Sequence, residues 1–159
     1  MVEIITYDSR YYQALVSMCL DFKQQTQAVS DVFDALQGNA DELSEAIEAY
    51  IKLQIDNPTV TVLLALEAGM PVGFVIGQPS EYFPFCKIER IGHIKELFVS
   101  RLFRGKGMGK QLLNALEQVF YRQGITNYKI ETVVYYPQNK GFYESMGYQV
   151  FLLDMRKSA

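Results

Sequence analysis

A strand that runs directly into three alternating glycines and out into an amphipathic helix leaves few folds open to a chain. Residues 88–99 read as a long strand, and Arg104-Gly105-Lys106-Gly107-Met108-Gly109 follow it. Leu112, Leu113, Leu116, Val119 and Phe120 then mark one apolar helix face, which Gly124 ends. Such a turn is an anion site, because unpaired backbone N–H groups and the helix dipole point at the same spot. Arg104, Lys106 and Lys110 add the cations suited to several phosphate oxygens.

The rest of the chain supplies alternating elements around this unit. Val2, Ile4 and Thr6 alternate with polar neighbours as a short strand, and Asp8 or Ser9 can cap a helix bearing Tyr11, Leu15, Met18 and Phe22 on one stripe. Asn39 with Glu42 has the spacing of a capping box, ahead of a helix with Leu43, Ile47, Tyr50 and Ile51 that Asn57-Pro58 stops. The apolar runs 62–66 and 72–76 flank a turn at 67–71 and predict a hairpin, followed by an aromatic loop with Tyr82, Phe83 and Phe85. Residues 128–136 read as a strand, 137–146 as a short helix and 148–155 as a last strand. With no repeats or linkers, residues 1–159 form one α/β domain.

Composition closes off several functions. The formal charge of −3 does not suit general binding to nucleic acid or an anionic membrane. No apolar run approaches bilayer length, and Met1-Val2-Glu3-Ile4-Ile5 lacks a signal peptide's basic region, so a cytoplasmic protein is expected. Cys19 and Cys86 have no metal-ligand spacing and read as ordinary thiols; no metal is expected.

Two common phosphate loops fail on spacing. A nucleotide-triphosphate loop needs glycine five residues before Gly109, where Arg104 stands, and a hydroxyl after Lys110, where Gln111 stands. A dinucleotide fingerprint needs Gly-x-Gly-x-x-Gly after the first strand, whereas Gly105, Gly107 and Gly109 alternate and come late. What remains is Arg-x-x-Gly-x-Gly. With Leu97-Phe98-Val99 before it and Leu112-Leu113 after it, this segment resembles the central coenzyme A motif of the GNAT superfamily of N-acetyltransferases. Phe142-Tyr143-Glu144 with Gly147-Tyr148 resembles that family's second motif, in the right order. The resemblance implies a single GNAT-like domain of α/β (α+β) class. Its central sheet would be mixed, mostly antiparallel, with about six or seven strands flanked by about four helices.

The resemblance also implies an acetyl-CoA-dependent N-acetyltransferase acting on a small-molecule or peptide amine. Attack on a thioester needs a deprotonated amine, a polarised carbonyl and a proton for the departing thiolate. Since a lysine-like amine has a pKa of about 10, a carboxylate base is the natural choice. Glu96 is that candidate; the alternative is an ion pair of Glu96 with Lys95 or Arg90 on a polar strand face. Alternation puts Glu96 and Phe98 on one face and Lys95, Leu97 and Val99 on the other. Tyr143 matches the family's tyrosine near the sulfur and is the candidate general acid, with a capping core tyrosine as the alternative. The implied cofactor contacts are Leu97, Phe98, Val99, Arg104, Gly105, Lys106, Gly107, Met108, Gly109, Lys110, Asn139 and Phe142. The Leu97, Phe98 and Val99 backbone would pair with the pantetheine arm and polarise the carbonyl.

The chain departs from the family pattern in two places. The common asparagine seven residues before the tyrosine is Tyr136 here, Asn139 being nearer, and the common proline two residues after the valine is Arg101. His93 reads as structural. Asp31, Asp34, Asp41, Glu42, Glu45 and Glu48 concentrate charge that either attracts a cationic amine or forms a solvated face, while Tyr82, Phe83 and Phe85 can wall a slot. Two other readings stand beside the transferase: a non-catalytic acyl-CoA-binding sensor, and an acyltransferase using another acyl-CoA. A homodimer is possible on family grounds.

Overall fold

A computed structural model describes residues 2–27, 39–132, 137–152, 155 and 157. The chain opens with β1 (Val2–Thr6), then a 3-10 turn over Ser9–Tyr11 that Asp8 caps by accepting from the Arg10 N–H at 2.9 Å. Helix α1 (Tyr12–Gln27) buries Leu15, Val16, Met18 and Cys19. Helix α2 (Ala40–Ile55) starts on the expected capping box. Asn39 Oδ1 accepts from the N–H of Asp41 and Glu42 at 2.9 and 3.1 Å, and the Glu42 carboxylate accepts from the Asn39 N–H at 2.9 Å.

Strands β2 (Thr61–Glu67) and β3 (Met70–Glu81) form the expected hairpin, turning through Ala68 and Gly69 at φ of 50° and 78°. Positive φ at both central residues matches the turn to the strands' right-handed twist. β3 runs past Ile76 to Glu81 because β4 (Arg90–Val99) pairs along its whole length, from Gly73↔Val99 to Glu81↔Arg90. Helix α3 (Met108–Arg122), β5 (Tyr128–Ile130) and α4 (Pro137–Ser145) follow. The five strands lie in the order β1-β2-β3-β4-β5, all antiparallel except the parallel β4–β5 pair.

Helices cover both faces of the sheet, which is why β2 and β3 read as unbroken apolar runs. Leu15, Ile51, Leu64, Phe74, Ile76 and Phe98 fill the side toward α1 and α2; Leu63, Val75, Ile94, Leu112, Leu116 and Phe120 fill the side toward α3. The α3 side packs so closely that a Cβ on Gly92 would lie 2.4 Å from Phe120 Cδ2, and one on Gly77 2.7 Å from Leu116 Cδ2.

Four expectations change. The described sheet has five strands, not six or seven. β5 covers only Tyr128–Ile130 of the expected 128–136, of which residues 133–136 lie outside the described residues. Residues 148–152 of the expected last strand are not strand: they find no ladder partner, and Val150, Phe151 and Leu152 stay exposed. The fourth change concerns faces. Ile76 pairs with Glu96 but Gly77 with Ile94, so Lys95 is an inserted residue, a β-bulge. Strict alternation fails there, and Lys95 and Glu96 both turn toward α1 and α2.

Candidate active site

The glycine turn is shaped by backbone conformation. After a 3-10 turn at Arg101–Phe103, Gly105 and Gly107 take φ of 76° and 80°, Gly107 being the left-handed N-cap of α3. A Cβ on either would meet nothing within 4 Å, so glycine is needed there for its dihedral and not for space. The first bond of the helix runs from the Gln111 N–H to the Gly107 oxygen at 3.1 Å, which leaves the N–H groups of Met108, Gly109 and Lys110 ahead of the ladder. The buried Met108 side chain anchors this turn, and the Phe142 ring of α4 comes within 3.4 Å of a Cβ on Gly109.

The cations around the turn divide. Arg104 folds back along β4: its Nε donates to the Val99 oxygen at 2.7 Å and its Nη2 to Gln25 Oε1 of α1 at 2.6 Å, with the guanidinium 5.6 Å from the Phe98 ring centre. Lys106 lies 5.1 Å from the Phe103 ring centre, and Lys110 and Arg101 are exposed. Next to the turn, β4 and β5 pair only from Gly92↔Tyr128 to Ile94↔Ile130 and then part. Among the described residues the outer edge of β4 from Lys95 to Val99, including Leu97 and Phe98, therefore has no strand beside it. Ser100 donates to the Val72 oxygen at 2.8 Å and keeps the other edge closed on β3.

Tyr143 sits on α4, edge-on to Phe142 at 5.1 Å and to Tyr148 at 5.9 Å. Burial, with a smaller contribution from the Glu96 charge, pushes its hydroxyl up to about 12. The Tyr148 hydroxyl donates to Glu117 Oε1 at 2.6 Å and fastens the segment after α4 to α3. Asn139 is half-buried one helical turn before Tyr143.

Glu96 lies on the α1–α2 side, only 10% exposed. Lys23 Nζ donates to its Oε1 at 2.7 Å and the Tyr50 hydroxyl to the same oxygen at 3.3 Å. The expected alternative pairing with Lys95 or Arg90 does not occur: Lys95 donates to Gln54 of α2, and Arg90 stands opposite Glu81 at the far end of the strand. Burial first, then the Glu96 charge, pushes the Cys19 thiol up to about 12 and the Tyr50 hydroxyl upward, Lys23 opposing the rise at Cys19. His93 stands apart, with Nε2 3.9 Å from Glu131, and burial lowers its pKa.

The substrate-side expectations separate in the same way. Asp41 and Glu42 occupy the first turn of α2, Glu45 is exposed and Glu48 accepts from the Tyr12 hydroxyl at 3.4 Å; Asp31 and Asp34 lie outside the described residues. In the segment joining β3 to β4, Tyr82 meets Phe83 edge-on at 5.0 Å and Phe83 stacks on Phe85 at 5.5 Å. Sequence reading missed Lys23, Gln25, Tyr50 and Gln54 as polar partners. One signal was present: Lys23 follows the buried Cys19 by one helical turn, and Gln54 follows Ile47 and Ile51 on a buried stripe.

With this geometry in place, comparison with known proteins is informative. A family model described as Acetyltransferase (GNAT) family matches residues 26–148. An uncharacterised N-acetyltransferase of Bacillus subtilis (strain 168), YhfO, is 29% identical over 105 residues, covering 66% of this chain and 69% of its own length. Two further relatives from that organism are matched over 58% and 52% of their own lengths. Among solved structures, a predicted acetyltransferase with acetyl-CoA from Clostridium acetobutylicum superposes with a TM-score of 0.75 at 16% identity, covering 98% of this chain and 96% of that one. AAC(6')-Iy in complex with the bisubstrate analog CoA-S-monomethyl-acetylneamine gives a TM-score of 0.75 at 16% identity, covering 100% and 99%.

Proposed function

The chain belongs to the acetyltransferase (GNAT) family, and on that premise we propose that it moves an acetyl group from acetyl-CoA to a primary amine by direct attack, with Glu96 as general base and Tyr143 as general acid. The observation that carries this reading is convergence. Among the described residues the end of β4 that carries Glu96 has no strand on its outer edge, the glycine turn with its unladdered N–H groups follows directly, Phe142 packs beside Gly109, and the Glu96 charge acts on the neighbouring Tyr143 hydroxyl. The residues present fit coenzyme A. Gly105, Lys106, Gly107, Met108, Gly109 and Lys110 offer backbone donors and charge to phosphates, and the Leu97, Phe98 and Val99 edge offers strand-like bonds to an extended arm. The acetyl-CoA in the Clostridium acetobutylicum structure and the CoA-containing bisubstrate analog in AAC(6')-Iy support the same cosubstrate, which supplies a thioester-activated acetyl group.

In this reading Glu96 accepts a proton from the attacking amine, and Tyr143 protonates the departing thiolate. A hydroxyl held up to about 12 stays protonated throughout the physiological range, the state a general acid requires. Arg104, Asn139 and Phe142 complete the proposed cofactor site, where Arg104 also holds the Val99 carbonyl and Phe142 packs beside Gly109 of the turn. The test is thiol release from acetyl-CoA across a panel of primary amines. Release with at least one amine, lowered about a thousandfold in Glu96→Gln, is the expected result. One observation favours a second reading, a sensor that binds acyl-CoA without transfer: Glu96 already holds Lys23. Thermal stabilisation by acetyl-CoA with no thiol release from any amine would favour that reading.

A further inference from the structure

Building on the transferase reading above, we propose that the acceptor is a primary amine bearing its own carboxylate close by, an amino-acid-like zwitterion, and that Lys23 is the residue that recognises that carboxylate. The Lys23–Glu96 pair is largely withdrawn from water, with side-chain exposures of 28% and 10%. An acceptor approaching as an ammonium must share or take the carboxylate that Lys23 holds. If the acceptor carries only positive charge, two cations then face one anion in a half-buried site, and a buried charge stripped of its partner is strongly unfavourable. An acceptor with an adjacent carboxylate removes the conflict: its ammonium pairs with Glu96 and its carboxylate with Lys23.

The surroundings point the same way. The bulge at Lys95 turns a second cation toward α1 and α2, where Gln54 accepts only one of its three donors. Arg104 brings a third cation to Gln25 on α1, two residues beyond Lys23. The remaining groups facing Glu96 are neutral: the Tyr50 hydroxyl, and the Cys19 thiol and Tyr143 hydroxyl that burial holds protonated. The described acidic residues of α2 do not offset this charge. Asp41 and Glu42 stand at its capped N-terminus, Glu45 is exposed, and Glu48 accepts from the Tyr12 hydroxyl at the start of α1, the end of that helix away from Lys23. The reaction balances without further reagents. The ammonium gives one proton to Glu96, the freed amine nitrogen bonds the acetyl carbon as the carbon–sulfur bond breaks, Tyr143 protonates the sulfur, and the second N–H proton returns to the tyrosinate, leaving one net proton on Glu96 for water.

The experiment compares matched acceptors, amino acids and their carboxamides, in thiol release from acetyl-CoA. The expected result is a preference for the free acid of about tenfold in kcat/KM, the size of one charge-assisted hydrogen bond. Lys23→Met should erase that preference, and Lys23→Arg should keep it. Equal or better use of the carboxamides by the unmodified protein, or a preference that survives Lys23→Met, would overturn the proposal. Calorimetric titration of the same pairs into protein saturated with coenzyme A answers independently of turnover: tighter binding of the acid supports it, and equal binding or none overturns it. Absence of acetyl-CoA binding altogether would remove the transferase reading, and this proposal with it.

Discussion

The two sides of β4 are built by different means. On the α3 side the proposed cofactor site is written in the backbone: two glycines at positive φ, three N–H groups ahead of a helix ladder, and a strand edge that among the described residues has no partner beyond Ile94. On the α1–α2 side the proposed acceptor site is written in side chains drawn from distant elements: Lys23 from α1, Tyr50 and Gln54 from α2, Lys95 and Glu96 from a bulge in β4. A backbone site demands particular dihedrals and therefore particular residues at fixed spacing. A side-chain site demands only that suitable groups meet in space.

This contrast can be broken by mutation, beginning with the largest effect. Glu96→Gln keeps the shape of the side chain but removes its basicity, so kcat/KM should fall about a thousandfold, within the range of general acid–base contributions. Acetyl-CoA affinity should hardly change, as a direct titration would reveal; a matching loss of affinity would mean that the two sides are not separable. Gly107→Glu attacks the other side. It forces a side chain into the left-handed region and sets a negative charge at the anion site, so acetyl-CoA should bind about a hundredfold more weakly, the cost of roughly two charge-assisted hydrogen bonds. The Lys23-dependent choice between acceptors should persist at saturating acetyl-CoA.

Tyr143→Phe should lower kcat by some tens of fold, at or below the lower end of the general-acid range, because a thiol with a pKa of about 8.5 leaves readily without full protonation. The same variant tests the environment of the hydroxyl. Its folded-state value, about 12, is raised above the ordinary 10, so its contribution to stability is complete below about pH 10 and is lost as pH rises toward 12. Denaturant unfolding on both sides of pH 10 should therefore show a shallower alkaline loss in Tyr143→Phe than in the parent. An identical loss would place the hydroxyl in water.

Legibility follows the same division. Gly105 and Gly107 were readable because no other residue takes their dihedrals cheaply, and Asn39 with Glu42 because a helix start has few solutions. The hairpin through Ala68 and Gly69 was readable from two apolar runs with a turn between them. The bulge at Lys95 was not, since an inserted residue alters pairing without altering composition, and it reversed the expected face of that lysine. Lys23 and Glu96 lie 73 residues apart and meet only because α1 packs across β4, so no local pattern joins them. The end of the β4–β5 ladder at Ile94↔Ile130 is likewise a property of pairing and not of either strand alone.

The claim that the cosubstrate is held by backbone on one side of β4 is tested most directly by amide hydrogen exchange with and without saturating acetyl-CoA. Slower exchange across residues 97–99 and 105–110, with α2 unchanged, is the expected result. Saturated binding that leaves those two segments exchanging at their original rates would contradict it.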